Sequence, residues 1–427
     1  MTAAAAPQHL SAIEHGLARS RVDENALRVV EQLVDAGFEA YLVGGCVRDL
    51  LLGLEPKDFD VATNATPEEV RQVFRRCRLV GRRFRIAHVR FGRHIIEVST
   101  FRKGELDDDE DSERYHADSG LILRDNVWGT LDDDAFRRDF TINALYYDPD
   151  TEEIIDFVGG LADLEAKRLR LIGDTRVRLR EDPVRLLRAV RFRAKLGFTL
   201  DPAIEAAMPE IAPQLRQIPP ARLFDEVCKL FVSGRSELAW EYLASTPLRA
   251  VLFPSTPPDD PLIRLAMRNT DLRIAEDKPV TPGFLLAVLL WRDYQARVDE
   301  LLASRKPAEA RAIAMGATLA EQQVIITIPR RFSQFIRDVW TLQYRLESRR
   351  PRAVVGLLAH ERFRAAYDFL VLRSEAGEDV AEAADWWTRF QAANARVRES
   401  LLEELRGQPR AEKPARRRRR RRRRKAE

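Results

Sequence analysis

The chain has 427 residues, 45% hydrophobic and 32% charged, with a net charge of +4; that length exceeds one compact core and calls for about two to four domains. Three well-separated cysteines, Cys46, Cys77 and Cys228, exclude a disulfide framework and a CxxC metal pair and fit a reducing, cytoplasmic setting. The longest apolar run, residues 284–291, is far short of the roughly 20 residues of a membrane helix, and the first residues lack a basic start before an apolar core, so neither membrane insertion nor export is expected.

In chain order, Leu27, Val30, Leu33 and Val34 share one helical face over residues 25–36, which Gly37 ends. Phe38, Ala40 and Leu42 then alternate with Glu39 and Tyr41 as in a half-buried strand that runs into Gly44-Gly45. A short helix over 47–52 and a strand over 58–63 follow. Thr66-Pro67-Glu68-Glu69 next opens a helix with a capping-box pattern and proline at its first position. Strands at 86–91 and 95–101 complete a mixed α/β unit. Residues 103–119 are polar and strongly acidic, and read as a solvated surface loop, because consecutive aspartates cannot all face one ion. From about Arg137 helical patterns dominate, among them 183–196, 220–230, 284–292 and 381–405. Residues 408–427 carry twelve basic side chains against Glu412 and Glu427, a contribution of +10 that leaves −6 for the rest. Such a tract repels itself and buries no apolar area, so it reads as a disordered arm for a polyanion.

Asp58-Phe59-Asp60 places two carboxylates at i and i+2 of a strand, on one face, with Phe59 turned to the core. Two adjacent carboxylates repel unless a cation lies between them, and magnesium takes carboxylate oxygens while keeping positions for water and phosphate. Gly44-Gly45-Cys46-Val47-Arg48 follows a strand and opens a helix, so backbone N–H groups can approach a triphosphate, with Arg48 pairing the phosphates. A two-metal site needs a third carboxylate, and two candidates stand: Glu97 in the strand Ile95-Ile96-Glu97-Val98, and Asp139 in Arg137-Arg138-Asp139. Farther on, Glu181-Asp182-Pro183-Val184-Arg185 opens a helix that spaces Arg185, Arg188 and Arg191 three apart. An Asp and an Arg on a rigid helix can read a base edge, and the further arginines can hold phosphates.

These motifs resemble the bacterial branch of the polymerase-β-like nucleotidyltransferases, which comprises CCA-adding enzymes and poly(A) polymerases. The matching residues are Gly44-Gly45-x-x-Arg48-Asp49, Asp58-x-Asp60, Arg137-Arg138-Asp139-x-x-x-Asn143, Asp156-x-x-Gly159-Gly160 and Glu181-Asp182-x-x-Arg185-x-x-Arg188-x-x-Arg191-Phe192, followed by Ile218-Pro219-Pro220-Ala221-Arg222. The resemblance implies that Asp58 and Asp60 bind Mg2+, that Asp139 is catalytic with them, and that the helix from Asp182 recognises the incoming base. It adds Gly44, Gly45, Asp49 and Asn143 to the nucleotide-binding residues, and Asp182, Arg185 and Arg138 are expected to select ATP.

The segment Leu79-Val80-Gly81-Arg82-Arg83-Phe84-Arg85-Ile86-Ala87-His88-Val89 looks like the one that separates poly(A) polymerases from CCA-adding enzymes. Arg82 and Arg83, with Arg416, Arg417, Arg418, Arg419 and Arg420 of the tail, are expected to contact RNA. The expected activity is template-independent transfer of AMP to RNA 3′ ends, promoting RNA turnover, with RNA-decay proteins as partners. A CCA-adding tRNA nucleotidyltransferase and a catalytically silent RNA-binding protein are the alternatives. The implied fold is α+β: an N-terminal mixed-sheet polymerase-β-like nucleotidyltransferase head, then an all-helical neck, body and tail. The expected boundaries are an extension at 1–24, head 25–155, neck 156–215, body 216–345, helical C-terminal region 346–407 and arginine-rich tail 408–427.

Overall fold

A computed structural model of the chain describes residues 6–81, 85–103, 115–116, 122–124 and 127–407. Arg82, Arg83 and Arg416 to Arg420, together with most of the acidic loop, lie outside the described residues.

The chain opens with β1 (Gln8–Leu10) and α1 (Ala12–His15), then α2 (Glu24–Asp35), β2 (Ala40–Val43), α3 (Gly45–Leu51), β3 (Asp60–Thr63) and α4 (Pro67–Val73). β4 (Cys77–Val80), β5 (Ile86–Phe91) and β6 (His94–Thr100) follow, then a short pair, β7 (Tyr115–His116) and β8 (Ile122–Arg124). α5 (Leu131–Arg137), β9 (Leu145–Asp148), β10 (Glu153–Asp156) and α6 (Gly160–Glu165) lead into α7 (Thr175–Glu181), α8 (Arg185–Leu196), α9 (Pro202–Ile211) and α10 (Pro220–Phe231). Helices make up nearly all of the described chain beyond α10. No helix among the described residues is long and apolar enough to cross a membrane.

Eight strands form one mixed sheet in the order β1-β10-β9-β2-β3-β6-β5-β4, in which β3 and β6 run parallel and the other neighbours antiparallel. Alternation divides its side chains between two faces. Leu42, Val61, Ala87 and Val98 lie on the face against which α2 and α4 pack, and all are buried. Val43 and Ala62 lie on the other, in a cluster with Phe101, Ala135, Tyr146 and Ile155. That second face also carries Asp60.

Local chemistry explains several elements. Asp23 caps α2 by accepting from the N–H groups of Asn25 and Ala26, and Ala26, Val29, Val30 and Leu33 face the sheet. The buried stripe is turned by about one residue from the expected one, leaving Val34 exposed. The Thr66/Glu69 capping box forms as read, with Glu69 Oε2 accepting from Thr66 N at 2.7 Å.

Other expectations are corrected. β3 starts at Asp60, so Asp58 lies just before the strand, exposed. β9 and β10 fall where helices were expected to take over, yet sit inside the sheet; Leu145, Tyr146 and Tyr147 are all buried, and a short continuous apolar run carries no period-2 signal. The pattern at 284–292 spans two helices, Pro282–Leu289 and Trp291–Leu302, and that at 381–405 divides into Ala381–Ala392 and Ala395–Gly407, where Asn394 Oδ1 accepts from Val397 N at 3.1 Å.

The chain divides into two compact units. One comprises residues 1–260, 267–282 and 289–328, and holds the sheet and α1 to α10. The other comprises 261–266, 283–288 and 329–427. Its core gathers Leu346, Phe363, Trp386, Trp387 and Phe390, and Trp387 donates its indole N–H to Leu346 O at 2.9 Å.

Candidate active site

The parallel register of β3 and β6 sets Asp60 directly beside Glu97. Residues paired in register share a face, so the two carboxylates stand side by side. Burial, then the charge of Glu97, pushes the Asp60 carboxyl up to about 6; Arg138 opposes that rise and Asp58 adds to it. The neighbours of Glu97, Ile96 and Val98, take the buried face, while its own side chain is 51% exposed. His88, its partner on β5, brings Nε2 to 3.3 Å from Glu97 Oε1. Among the described residues no group of three or more His, Cys, Asp or Glu side chains is gathered so as to hold a metal ion without further ligands. The chemistry of the donors fits magnesium, which is commonly held by one or two carboxylates and completed by substrate phosphates. A partly buried carboxylate crowded by two others is the arrangement a divalent cation relieves.

Between β2 and α3 the chain turns through Gly44 at φ +81°, a conformation that side chains rarely adopt. A Cβ there would stand 3.7 Å from Arg138 Nη1 and from Asn143 O. Arg48 does not reach out from this turn. It is only 2% exposed, donating to Asp49 Oδ1 at 2.8 and 2.6 Å and to Asn143 Oδ1 at 2.5 Å. In this structure those donors hold the turn.

The network continues into α8. Asn143 Nδ2 donates to Asp139 Oδ1 at 3.2 Å, Arg188 Nε donates to Asp139 Oδ2 at 2.5 Å, and Lys195 Nζ donates to Asp49 Oδ2 at 2.8 Å. Burial would raise Asp139, but Arg188, the Phe140 N–H and the Asn143 amide bring it down to about 2. Phe192 fills the centre, its ring in edge contact with Phe140 and approached by the guanidinium carbons of Arg48, Arg188 and Arg191 at 5.1, 5.4 and 4.9 Å. Among the described residues Arg191 has no ion pair, and its Nε is buried without a partner. Burial, then repulsion from Arg188, with Arg48 adding to it, lowers its hold on its proton.

At the start of α8, Arg222 Nη2 donates to Asp182 Oδ2 at 2.6 Å. Arg185 donates to Glu181 Oε2 at 2.9 Å and to the carbonyl of Arg178. Arg178 reaches the carbonyls of Arg137 and Arg138, so one guanidinium ties this cluster to the head. Glu181 Oε1 and Arg222 Nη1 are buried without partners, polar atoms that a ligand would complete. Arg138 belongs elsewhere. It bonds to Asp134 Oδ2 at 2.7 Å and to the Tyr146 hydroxyl, beside Gly44 and not beside Asp182.

Sequence comparison decides the family. The chain is 43% identical over 420 residues to poly(A) polymerase I of Escherichia coli O157:H7, a match spanning 95% of this chain and 90% of that protein. It belongs to the bacterial poly(A) polymerase family. Residues 40–170 match the model described as poly A polymerase head domain, 197–258 the probable RNA and SrmB-binding site of polymerase A, and 303–425 the polymerase A arginine-rich C-terminus. The poly(A) polymerase I of Haemophilus influenzae is 45% identical over 89% of this chain and 87% of its own length. A CCA-adding enzyme of Streptococcus pneumoniae is 40% identical over 49% of this chain and 50% of its own length. Among solved structures, the Bacillus stearothermophilus CCA-adding enzyme in complex with CTP superposes with a TM-score of 0.58 at 25% identity, over 89% of this chain and 91% of that one.

Several residues of this family member escaped the sequence reading. Arg222 stood in a quoted motif without a role, and Lys195 follows the arginine series of α8 at the next helical turn. Arg178, Glu181 and Asp134 make i,i+3 and i,i+4 ion pairs that read as ordinary helix-surface pairs, and only the bonds from Arg178 to the carbonyls of Arg137 and Arg138 and from Tyr146 to Asp134 reach across the fold.

Proposed function

We propose that this protein is a template-independent poly(A) polymerase that transfers AMP from ATP to the 3′-hydroxyl of RNA and releases pyrophosphate. The carrying observation is the Asp60–Glu97 pair, set side by side by the β3–β6 register in a chain whose relatives named poly(A) polymerase I match almost throughout, while the CCA-adding relative matches about half. Asp60, Glu97 and Asp58 would hold magnesium, which when bound supplies Lewis acidity to the attacking hydroxyl and to the leaving pyrophosphate. The Gly44 turn, with Arg138 beside it, admits the triphosphate. Arg191 and Arg188 supply cationic charge to the same nucleotide, and Asp139 acts as a positioning residue by holding Arg188. Asp182, Arg185 and Arg222 select adenine, because a wrong base would leave their donors and acceptors unmatched at about 1–3 kcal/mol each.

The three free cysteines suit a reducing cytoplasm. RNA turnover, with RNA-decay proteins as partners, is the matching biological role. Incubating the protein and Mg2+ with a generic RNA and each nucleotide separately tests the reading. Long products from ATP alone are expected, whereas three-nucleotide, CTP-dependent extension restricted to tRNA would overturn it.

A further inference from the structure

The register that joins Asp60 to Glu97 does not stop there. Glu97 pairs with His88 on β5, and His88 pairs with Arg78 on β4. Four strands thus carry one cross-strand row, Asp60–Glu97–His88–Arg78, on the same face, running from two acids to a base. At about 4.8 Å per strand, Arg78 stands roughly 14 Å from Asp60. Arg90, two residues beyond His88 on β5, shares that face, and Arg90 N donates to Arg76 O at 3.0 Å across the strand ends. A cavity of about 350 Å³ opens there, lined by Arg75, Arg76, Cys77, Arg78, Arg90 and Gly92.

All four arginines are exposed, and among the described residues none forms an ion pair. Several surface arginines elsewhere in the same unit are neutralised: Arg176 and Arg180 share Glu210, and Arg193 takes Glu205. Protection of an edge strand accounts for charge on β4. It does not account for Arg90, which lies on an inner strand, or for a cavity between the side chains.

We propose that this groove binds the phosphodiester backbone of the single-stranded RNA primer a few nucleotides upstream of its 3′ end. The proposal rests on the reading of the protein as an RNA-extending enzyme. The distance to Asp60 is too long for the triphosphate of the nucleotide held at the carboxylates, and an acid-to-base row on one face matches a chain whose 3′ end lies at the acids. Guanidinium groups hold phosphate oxygens bidentately, and backbone contacts carry no sequence information, as an enzyme extending many RNAs requires.

The test uses the full-length protein and its R76A/R78A/R90A variant, with oligo(A) primers of 3 and 15 nucleotides. For the longer primer we expect affinity to fall about 10-fold at low salt, with the salt slope shallower by about 2 at about 0.7 per phosphate neutralised. Affinity for the 3-nucleotide primer, the KM for ATP, and kcat on saturating long primer should stay unchanged. R76K/R78K/R90K should recover most of the long-primer affinity, which a folding defect would not allow. Unchanged long-primer affinity and salt slope would overturn the proposal and leave the groove to an acidic protein partner; equal losses on both primers would overturn it too. Failure of the wild type to extend any RNA would instead remove the functional reading beneath it.

Discussion

Asp139 accepts from Arg188 at 2.5 Å across 49 residues of sequence, joining the segment before β9 to the helix that carries the arginine series. Replacing Asp139 by Asn takes the carboxylate from the part-buried Arg188 guanidinium, a loss of about 2 kcal/mol. The Asp139 carboxyl titrates at about 2 in the fold, below its unfolded value of about 3.9, so its contribution is full above pH 4 and disappears as pH falls through 2. Urea titrations should show the gap between wild type and D139N widest above pH 4 and closing toward pH 2. A gap independent of pH would contradict the pairing.

Asp60 has the opposite sign. Its carboxyl lies at about 6, above the unfolded value, so ionising it costs the fold stability as pH rises from 4 to 6, and the cost persists above 6. Without divalent cations, D60N should therefore be more stable than wild type at pH 7.5, by on the order of 2 kcal/mol, with the gain vanishing below pH 4. The same variant should lose AMP incorporation by about 100-fold or more while keeping RNA affinity. Thermal melts with and without Mg2+ check the first part, and primer extension checks the second.

The two glycines of the turn should separate in their effects. G44A forces an alanine to φ +81° and should destabilise by about 1–2 kcal/mol. At Gly45 an added Cβ meets Arg48 Nη2 at an ordinary 3.7 Å, so G45A should melt like wild type and raise only the KM for ATP. Equal melting losses for both would refute this account of the turn.

Nucleotide choice should respond at the base of α8. D182A removes the acceptor that Arg222 meets at 2.6 Å, and preference for ATP over CTP should drop by about 10-fold in kcat/KM, the value of one buried hydrogen bond. R222K keeps the charge but not the fork and should lose part of the preference. Unaltered selectivity in D182A would move base recognition elsewhere.

Deleting residues 416–425 should weaken RNA binding at low salt and flatten its salt dependence. Single-turnover extension of saturating primer should be unchanged. Equal affinity and salt slope in the truncated protein would remove the tail from RNA binding.

The parts legible in the sequence are those written in local spacing: the Thr66 cap, the glycine turn and the arginine periodicity of α8. Glu97 was visible as a candidate, but its place beside Asp60 depends on a parallel pairing across 37 positions, which alternation alone does not set. The partners of Arg48 were hidden for a related reason. Sequence shows a cation after a glycine turn, while its acceptors, Asp49 Oδ1 and Asn143 Oδ1, close around it only once the segment before β9 is in position. β9 and β10 were hidden because strands buried on both sides lose their alternation. Arg222 acquires meaning only through its tertiary contact with Asp182.

The ring of Phe192 is surrounded by three guanidiniums, and arginine cannot shed its charge to relieve crowding. Asp139 answers Arg188 and Asp49 answers Arg48, which leaves Arg191 as a standing electrostatic frustration in the resting enzyme. On the proposed reading an incoming polyphosphate would supply the anion that Arg191 lacks, so ATP would complete the charge balance of this cluster as well as serve as substrate.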